Sequence, residues 1–152
     1  MRVSAKADYA VRAAIELASS NGERPVKGDS IAEAQEIPIR FLENILGELR
    51  HAGIVQSQRG SEGGYWLARP ADEITVAEVI RAVEGPLASV RGARPEDRDY
   101  HGDSERLQDV WVALRANIRQ VLEVVTLADI AGRRLPAAVQ ELVDRPEVWE
   151  PH

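Results

Sequence analysis

The chain has 152 residues, of which 44% are hydrophobic and 29% charged, and its formal charge is −6. That composition supports one ordinary domain with a real core and excludes a disordered or low-complexity chain. Cysteine is absent, which excludes disulfides, thiolate nucleophiles, zinc fingers and iron–sulfur sites built from cysteine alone.

Arg2, Lys6, Asp8 and Arg12 break up the N-terminal stretch, so it lacks the apolar core of a signal peptide. No later window approaches the roughly 18 apolar residues of a membrane span. A cytoplasmic protein without membrane contact is expected. Ser4 can cap a first helix carrying Tyr9, Ala10, Ala13, Ala14, Leu17 and Ala18 at helical spacing. Ser19-Ser20-Asn21-Gly22 ends it. A short second helix is predicted from Asp29 or Ser30, with Ser30 and Glu33 at capping-box spacing. Pro38 then opens a third helix, with Leu42, Ile45, Leu46 and Leu49 as its apolar stripe and Gly53 as its end. Ile54–Gln58 and Tyr65-Trp66-Leu67 read as strands. Between them, Arg59-Gly60-Ser61-Glu62-Gly63-Gly64 has the glycines of a hairpin tip.

Thr75 and Glu78 predict a second capping box, before Val76, Val79, Ile80 and Val83, and Gly85-Pro86 ends that helix. Proline, glycine and mixed charge over 86–104 predict a loop, mobile near Gly92–Gly102. A long helix follows from about Glu105 to Val125. Leu107, Trp111, Leu114, Ile118, Val121, Leu122 and Val125 are spaced by three and four along it. Thr126 and Asp129 suggest a new helix start, and Ala137–Val143 one more short helix.

Helix, short helix, tight turn, helix and glycine-tipped hairpin, in that order, make a winged helix-turn-helix. The fold class is therefore mainly α with a small two-stranded antiparallel wing, followed by a long dimerisation helix. The third helix can lie in a major groove of double-stranded DNA. Arg40 and Asn44, one turn apart, would face base edges, and Glu43 could accept from a cytosine amino group. Lys6, Lys27 and Arg50 are candidate phosphate contacts, and Arg59 a candidate for minor-groove entry. The charge distribution permits this. Residues 1–70 hold 9 Lys+Arg and 9 Asp+Glu, whereas residues 71–152 hold 10 and 16. The whole acidic excess thus lies outside the proposed reading head.

A catalytic reading finds little. There is no P-loop and no Gly-x-Gly-x-x-Gly, and His51, His101 and His152 lack metal-ligand spacing. No catalytic residue, metal site or cofactor is expected. The wide apolar stripe of the long helix predicts a homodimer, anchored at Trp111 and matched to a palindromic operator.

Short motifs along the chain resemble the Rrf-two family of winged-helix repressors (IscR, NsrR and CymR among them). They are Met1-Arg2-Val3-Ser4-Ala5-Lys6-Ala7-Asp8-Tyr9-Ala10, Phe41-Leu42-Glu43, Leu49-Arg50, Ala52-Gly53-Ile54-Val55, Arg59-Gly60 with Gly63-Gly64-Tyr65, Ile74-Thr75-Val76, Val79-Ile80 and Thr126-Leu127-Ala128-Asp129. The resemblance covers about residues 1–132. It implies a homodimer, base contacts from the Arg40–Asn44 region including Phe41, and minor-groove entry by Arg59. It divides the chain into a DNA-binding domain over 1–85, a loop over 86–104, a dimerisation helix and following turn over 105–132, and a tail over 133–152.

In cluster-sensing members that loop holds three cysteines. The matching region here reads Arg91-Gly92, Arg98-Asp99 and Asp103-Ser104, and Leu107 replaces a family histidine. Asp8 stands where some members supply a carboxylate ligand, but Arg12, four residues on, offers it an ion pair. The resemblance therefore implies a cluster-free regulator, with a cysteine-metabolism branch that works through a partner enzyme as its model. Two other readings stay open. One is a sensor with a small-molecule effector bound between the DNA-binding domain and the long helix. The other is a protein-interaction module that has lost DNA binding.

Overall fold

The computed structural model describes residues 2–20 and 22–151, so the sequence expectations that fall on Met1, Asn21 and His152 lie outside the described residues. Helix α1 (Ala5–Ser19) starts as its sequence predicts, with the Ser4 hydroxyl accepting from the Ala7 N–H. Its buried face is Ala7, Ala10, Ala13, Ala14 and Leu17. Small residues at these positions let α1 sit close to the helices around it. Helix α2 (Gly28–Gln35) begins earlier than expected. Lys27 is its N-cap with no side-chain cap bond, so the Ser30–Glu33 box does not form. The cause lies upstream: Val26 bridges to Tyr65, each N–H donating to the other's carbonyl at 2.8 Å. That bridge fixes the chain at Val26, and Lys27 is the next residue able to turn.

Between α2 and α3 (Ile39–His51), Glu36 takes a left-handed conformation at φ 52°, and the Ile37 N–H returns to the Ala32 carbonyl at 2.9 Å. Pro38 is the N-cap of α3 rather than its first residue. Arg12 braces this turn from α1. Its Nη1 donates to the Gln35 carbonyl at 2.6 Å, its Nε lies 3.0 Å from Asp8, and its guanidinium sits 4.8 Å from the Tyr9 ring centre. The Asp8–Arg12 pair is the one anticipated from the sequence.

Strands β1 (Val55–Gln58) and β2 (Gly64–Leu67) pair antiparallel, with Val55 opposite Leu67 and Gln58 opposite Gly64. Helix α4 (Val76–Glu84) carries the full Thr75–Glu78 capping box. After short 3-10 turns at Pro95–Asp97 and Gly102–Ser104 come α5 (Leu107–Leu122), α6 (Leu127–Ala131) and α7 (Ala137–Val143). The Thr126–Asp129 box at the start of α6 is also complete.

The main core joins α1, α2, α3, α4, β1 and α6 through side chains such as Leu17, Ile31, Leu46, Ile74, Val79 and Leu127. No polar or charged residue is buried among the described residues. A smaller cluster of Val76, Val125 and Val139 ties the end of the α5 segment and α7 to α4. Helix α5 is shorter than its periodicity suggests. Past Leu122 the chain turns to pair with α4: the Val76 N–H donates to Val125 and the Leu127 N–H to Ile74. The 86–104 loop carries hydrogen bonds of its own. Val90 and Ala93 bridge each other, and Arg98 donates to the carbonyls of Val90 (3.1 Å) and Arg91 (2.7 Å).

Candidate nucleic-acid interface

Helix α3 has two unlike faces. Leu42, Ile45, Leu46 and Leu49 are fully buried, whereas Arg40, Glu43 and Asn44 are exposed. Burying four such side chains stabilises the helix's seat by roughly 1.5–3 kcal/mol each before entropy is charged. The outward side chains make no hydrogen bond to the rest of the chain among the described residues, so their donors and acceptors are available. Arginine and asparagine each present a pair of groups that matches a purine edge, and a carboxylate accepts from cytosine N4. Phe41 differs from its neighbours. It is half-buried and meets Tyr9 edge to face, with ring centres 5.5 Å apart. It anchors α3 on α1 and also lines the open cleft beside Glu43 and Asn44.

Lys27, Arg50 and Arg59, far apart in sequence, line one open groove of about 380 Å³ between the start of α2 and the wing. Asp29 is the sole acidic side chain in that lining, so the groove is net cationic. Arg50 is steadied by Ser57, whose hydroxyl accepts from Nη1 at 3.2 Å. The N-terminus of α2 opens onto the same groove, adding the partial positive charge of its free N–H groups. Lys6 sits elsewhere. Its ammonium is 2.9 Å from Glu48 Oε1, and the pair stands at an open cleft of about 680 Å³ with Glu43, Asn44 and His51. Its charge is therefore partly answered within the fold.

The wing tip depends on two glycines. A Cβ on Gly63 would lie 2.2 Å from the Gln58 carbonyl oxygen, and one on Gly64 2.6 Å from that of Val26. Gly63 closes the turn by donating to Gly60 at 3.0 Å, which holds Arg59 at the edge of the groove. Sequence reasoning missed Ser57, Glu48 and the α2 terminus. A bridge between Val26 and Tyr65 leaves no local signal, so only an expected third strand beside the wing could have pointed to the α2 terminus.

On α5, Leu107, Trp111, Leu114, Ile118, Val121 and Leu122 are all half-exposed, and the helix has no buried residue. Val125 alone of the predicted dimerisation set is buried, and it packs inside its own chain on Val76 and Val139. Trp111 donates through Nε1 to the Tyr100 hydroxyl at 3.1 Å. Three carboxylates brace this region. A hydrogen bond from the Glu96 backbone, with Arg115 behind it, holds the Glu96 carboxyl below its ordinary value. Hydrogen bonds from Arg81 and Arg119 do the same for Glu123. Burial pushes Glu78 up, but the Thr75 N–H and Arg69 together outweigh it and leave the carboxyl lowered.

A family model described as Rrf2, an iron-dependent transcriptional regulator, matches residues 3–133. The chain belongs to the Rrf2 family. It is 54% identical over 144 residues to the HTH-type transcriptional regulator Rv1287 of Mycobacterium tuberculosis, covering 95% of this chain and 89% of the relative. It is 35% identical to the HTH-type transcriptional regulator CymR of Bacillus subtilis, covering 87% of this chain and 91% of CymR. The solved structure of B. subtilis CymR superposes with a TM-score of 0.74 at 34% identity, over 89% of this chain and 99% of that one. T. potens IscR gives 0.70 at 34% identity, over 100% and 93%. The protein is thus a cysteine-free Rrf2 transcriptional regulator with the winged-helix fold, and family and fold are those of regulators rather than enzymes.

The family's description names iron, and the residues of this chain do not fit a thiolate-held cluster. No cysteine is present, and no three His, Asp or Glu side chains converge on a metal position among the described residues. Among the described residues no helix is long and apolar enough to cross a membrane.

Proposed function

We propose that this Rrf2 regulator is a cytoplasmic homodimeric repressor that reads a palindromic operator in double-stranded DNA and works without an iron–sulfur cluster. The observation that carries this reading is the exposed Arg40–Glu43–Asn44 face of α3 beside the cationic groove of Lys27, Arg50 and Arg59. One surface offers base-reading groups, and the adjoining one offers phosphate-binding groups. The apolar stripe of α5 supports the dimer, since a two-fold axis through it would present two copies of α3 to successive turns of one DNA face. The loop's lack of thiolates supports the cluster-free part. Similarity to CymR, described as the global cysteine regulator of B. subtilis, supports target genes in cysteine or sulfur metabolism.

Binding to the protein's own promoter DNA, followed by fluorescence anisotropy across a salt series, tests the reading. Affinity should fall steeply with salt, because phosphate contacts release counterions. Arg59→Ala should weaken binding across sequences and lower the salt slope by about one. An unchanged affinity for Arg59→Ala would remove the wing from the interface. Genome-wide mapping of bound DNA would name the targets, and occupancy confined to genes outside sulfur metabolism would overturn that assignment.

A further inference from the structure

Helix α4, the 86–104 loop and α5 line another open polar cavity, of about 280 Å³. Four arginines stand in its wall: Arg81 from α4, Arg94 from the loop, and Arg115 and Arg119 from α5. This concentration runs against the acidic trend of residues 71–152. Two carboxylates answer it. Glu96, in the wall, takes a bond from Arg115 at 2.5 Å. Glu123 pairs with Arg81 and, at 2.9 Å, with Arg119. Four guanidiniums against two carboxylates leave an excess of two positive charges. Arg94 carries the clearest share of it, since its side chain has no ion-pair or hydrogen-bond partner among the described residues.

Guanidinium groups crowded around one opening repel each other, and an oxyanion placed between them relieves that repulsion. Arginine also offers parallel N–H groups that match carboxylate and phosphate oxygens in pairs. The cavity is slightly smaller than the usual ligand pocket of about 300–1,000 Å³, which suits a small ligand. Pro86 and Leu87 give it an apolar margin. We propose that this cavity binds a small dianion, with its two negative charges on oxygen, held by Arg94, Arg115 and Arg119. The wall draws on α4, which packs on α1 and α3, and on α5, which carries the apolar stripe. A ligand there touches both halves of the molecule, which is the place an effector needs. The binding claim rests on the cavity alone, so it stands or falls separately from DNA binding.

The test is isothermal titration of the full chain with succinate and with inorganic phosphate at fixed ionic strength, with acetate as the monoanion control. At least one dianion should bind at one site per chain, at least tenfold tighter than acetate. The preferred probe tells whether the ligand is a dicarboxylate or a phosphate. Arg94→Glu should weaken that binding at least tenfold while the chain keeps its fold, because Arg94 makes no hydrogen bond or contact ion pair among the described residues and only its charge reaches Glu96. Arg94→Gln should weaken it less, in the same direction, and Arg59→Ala should leave it unchanged. Dianions that bind no better than acetate would overturn the proposal. So would binding that survives Arg94→Glu and disappears with Arg59→Ala, since the anion would then occupy the groove beside the wing.

Discussion

Helices α3 and α5 are both amphipathic, yet α3 hides four side chains completely and α5 hides none. The difference is one of partners within the chain. Helix α3 is closed in by α1, α2, α4 and β1, so its polar face, with Ile39 at the first turn, meets solvent. Helix α5 touches α4 and a 3-10 turn of the loop, and its last turn packs through Val121 and Leu122 on the Val76, Val125 and Val139 cluster. It also leaves Val110 and Val112 exposed beside the stripe. The apolar face of α3 serves the fold, whereas most of that of α5 stays half-exposed.

The strongest way to break this comparison is to damage the core under α3. Leu46→Ala removes a fully buried side chain and should cost about 2–5 kcal/mol of unfolding free energy in a denaturant melt. The matching change on α5 should act differently. Ile118→Glu should leave the unfolding of the monomer nearly intact while weakening self-association by about 2 kcal/mol or more, read as a shift to monomer by light scattering. A lasting dimer in that variant would place the interface elsewhere. Thr75→Ala sharpens the boundary between the two regions. Loss of the capping box should cost about 1 kcal/mol in the same melt, and Thr75→Ser should restore most of it.

The smallest effect is an acid one. Glu78, Glu96 and Glu123 all have folded carboxyls below the ordinary 4.5, so the stability they contribute is present above that pH and is lost as pH falls through their lowered values. Glu96 and Glu123 both pair with arginines on α5, whereas the described core has no buried charge. Hydrogen exchange below about pH 4.5 should therefore lose protection in α5 before α3. Simultaneous loss in both helices would mean that α5 is not separately braced.

What was legible in the sequence is what local spacing encodes. The α3 stripe, the Ser4 cap, the Thr75 and Thr126 capping boxes, the glycine-tipped hairpin and the Ala137–Val143 helix all follow from residues three to five apart. The Ser30–Glu33 box had the right letters but lost to the Val26–Tyr65 bridge, which sets where α2 can begin. The gathering of Lys27, Arg50 and Arg59 into one groove depends on how the wing folds back across more than thirty residues, and no local period reports it. Phe41 sits in the right segment, but its direction is set by Tyr9, and Lys6 by Glu48.

The two capping boxes lie side by side, because Thr75 and Thr126 bridge each other and the N–H groups of Val76 and Leu127 cross between the segments. That knot clamps the C-terminal end of α5 to the first turn of α4, while near the opposite end Gln108 and Trp111 hydrogen-bond to the loop. In the proposed dimer, helix α5 would act as a lever with its fulcrum at that knot. Its 16 residues give an arm of about 24 Å, so a tilt of about 10° at the knot carries the far end through about 4 Å. Against a half-site spacing of about 34 Å on DNA, so small a rotation would be enough to bring the two reading heads of the proposed dimer into or out of step.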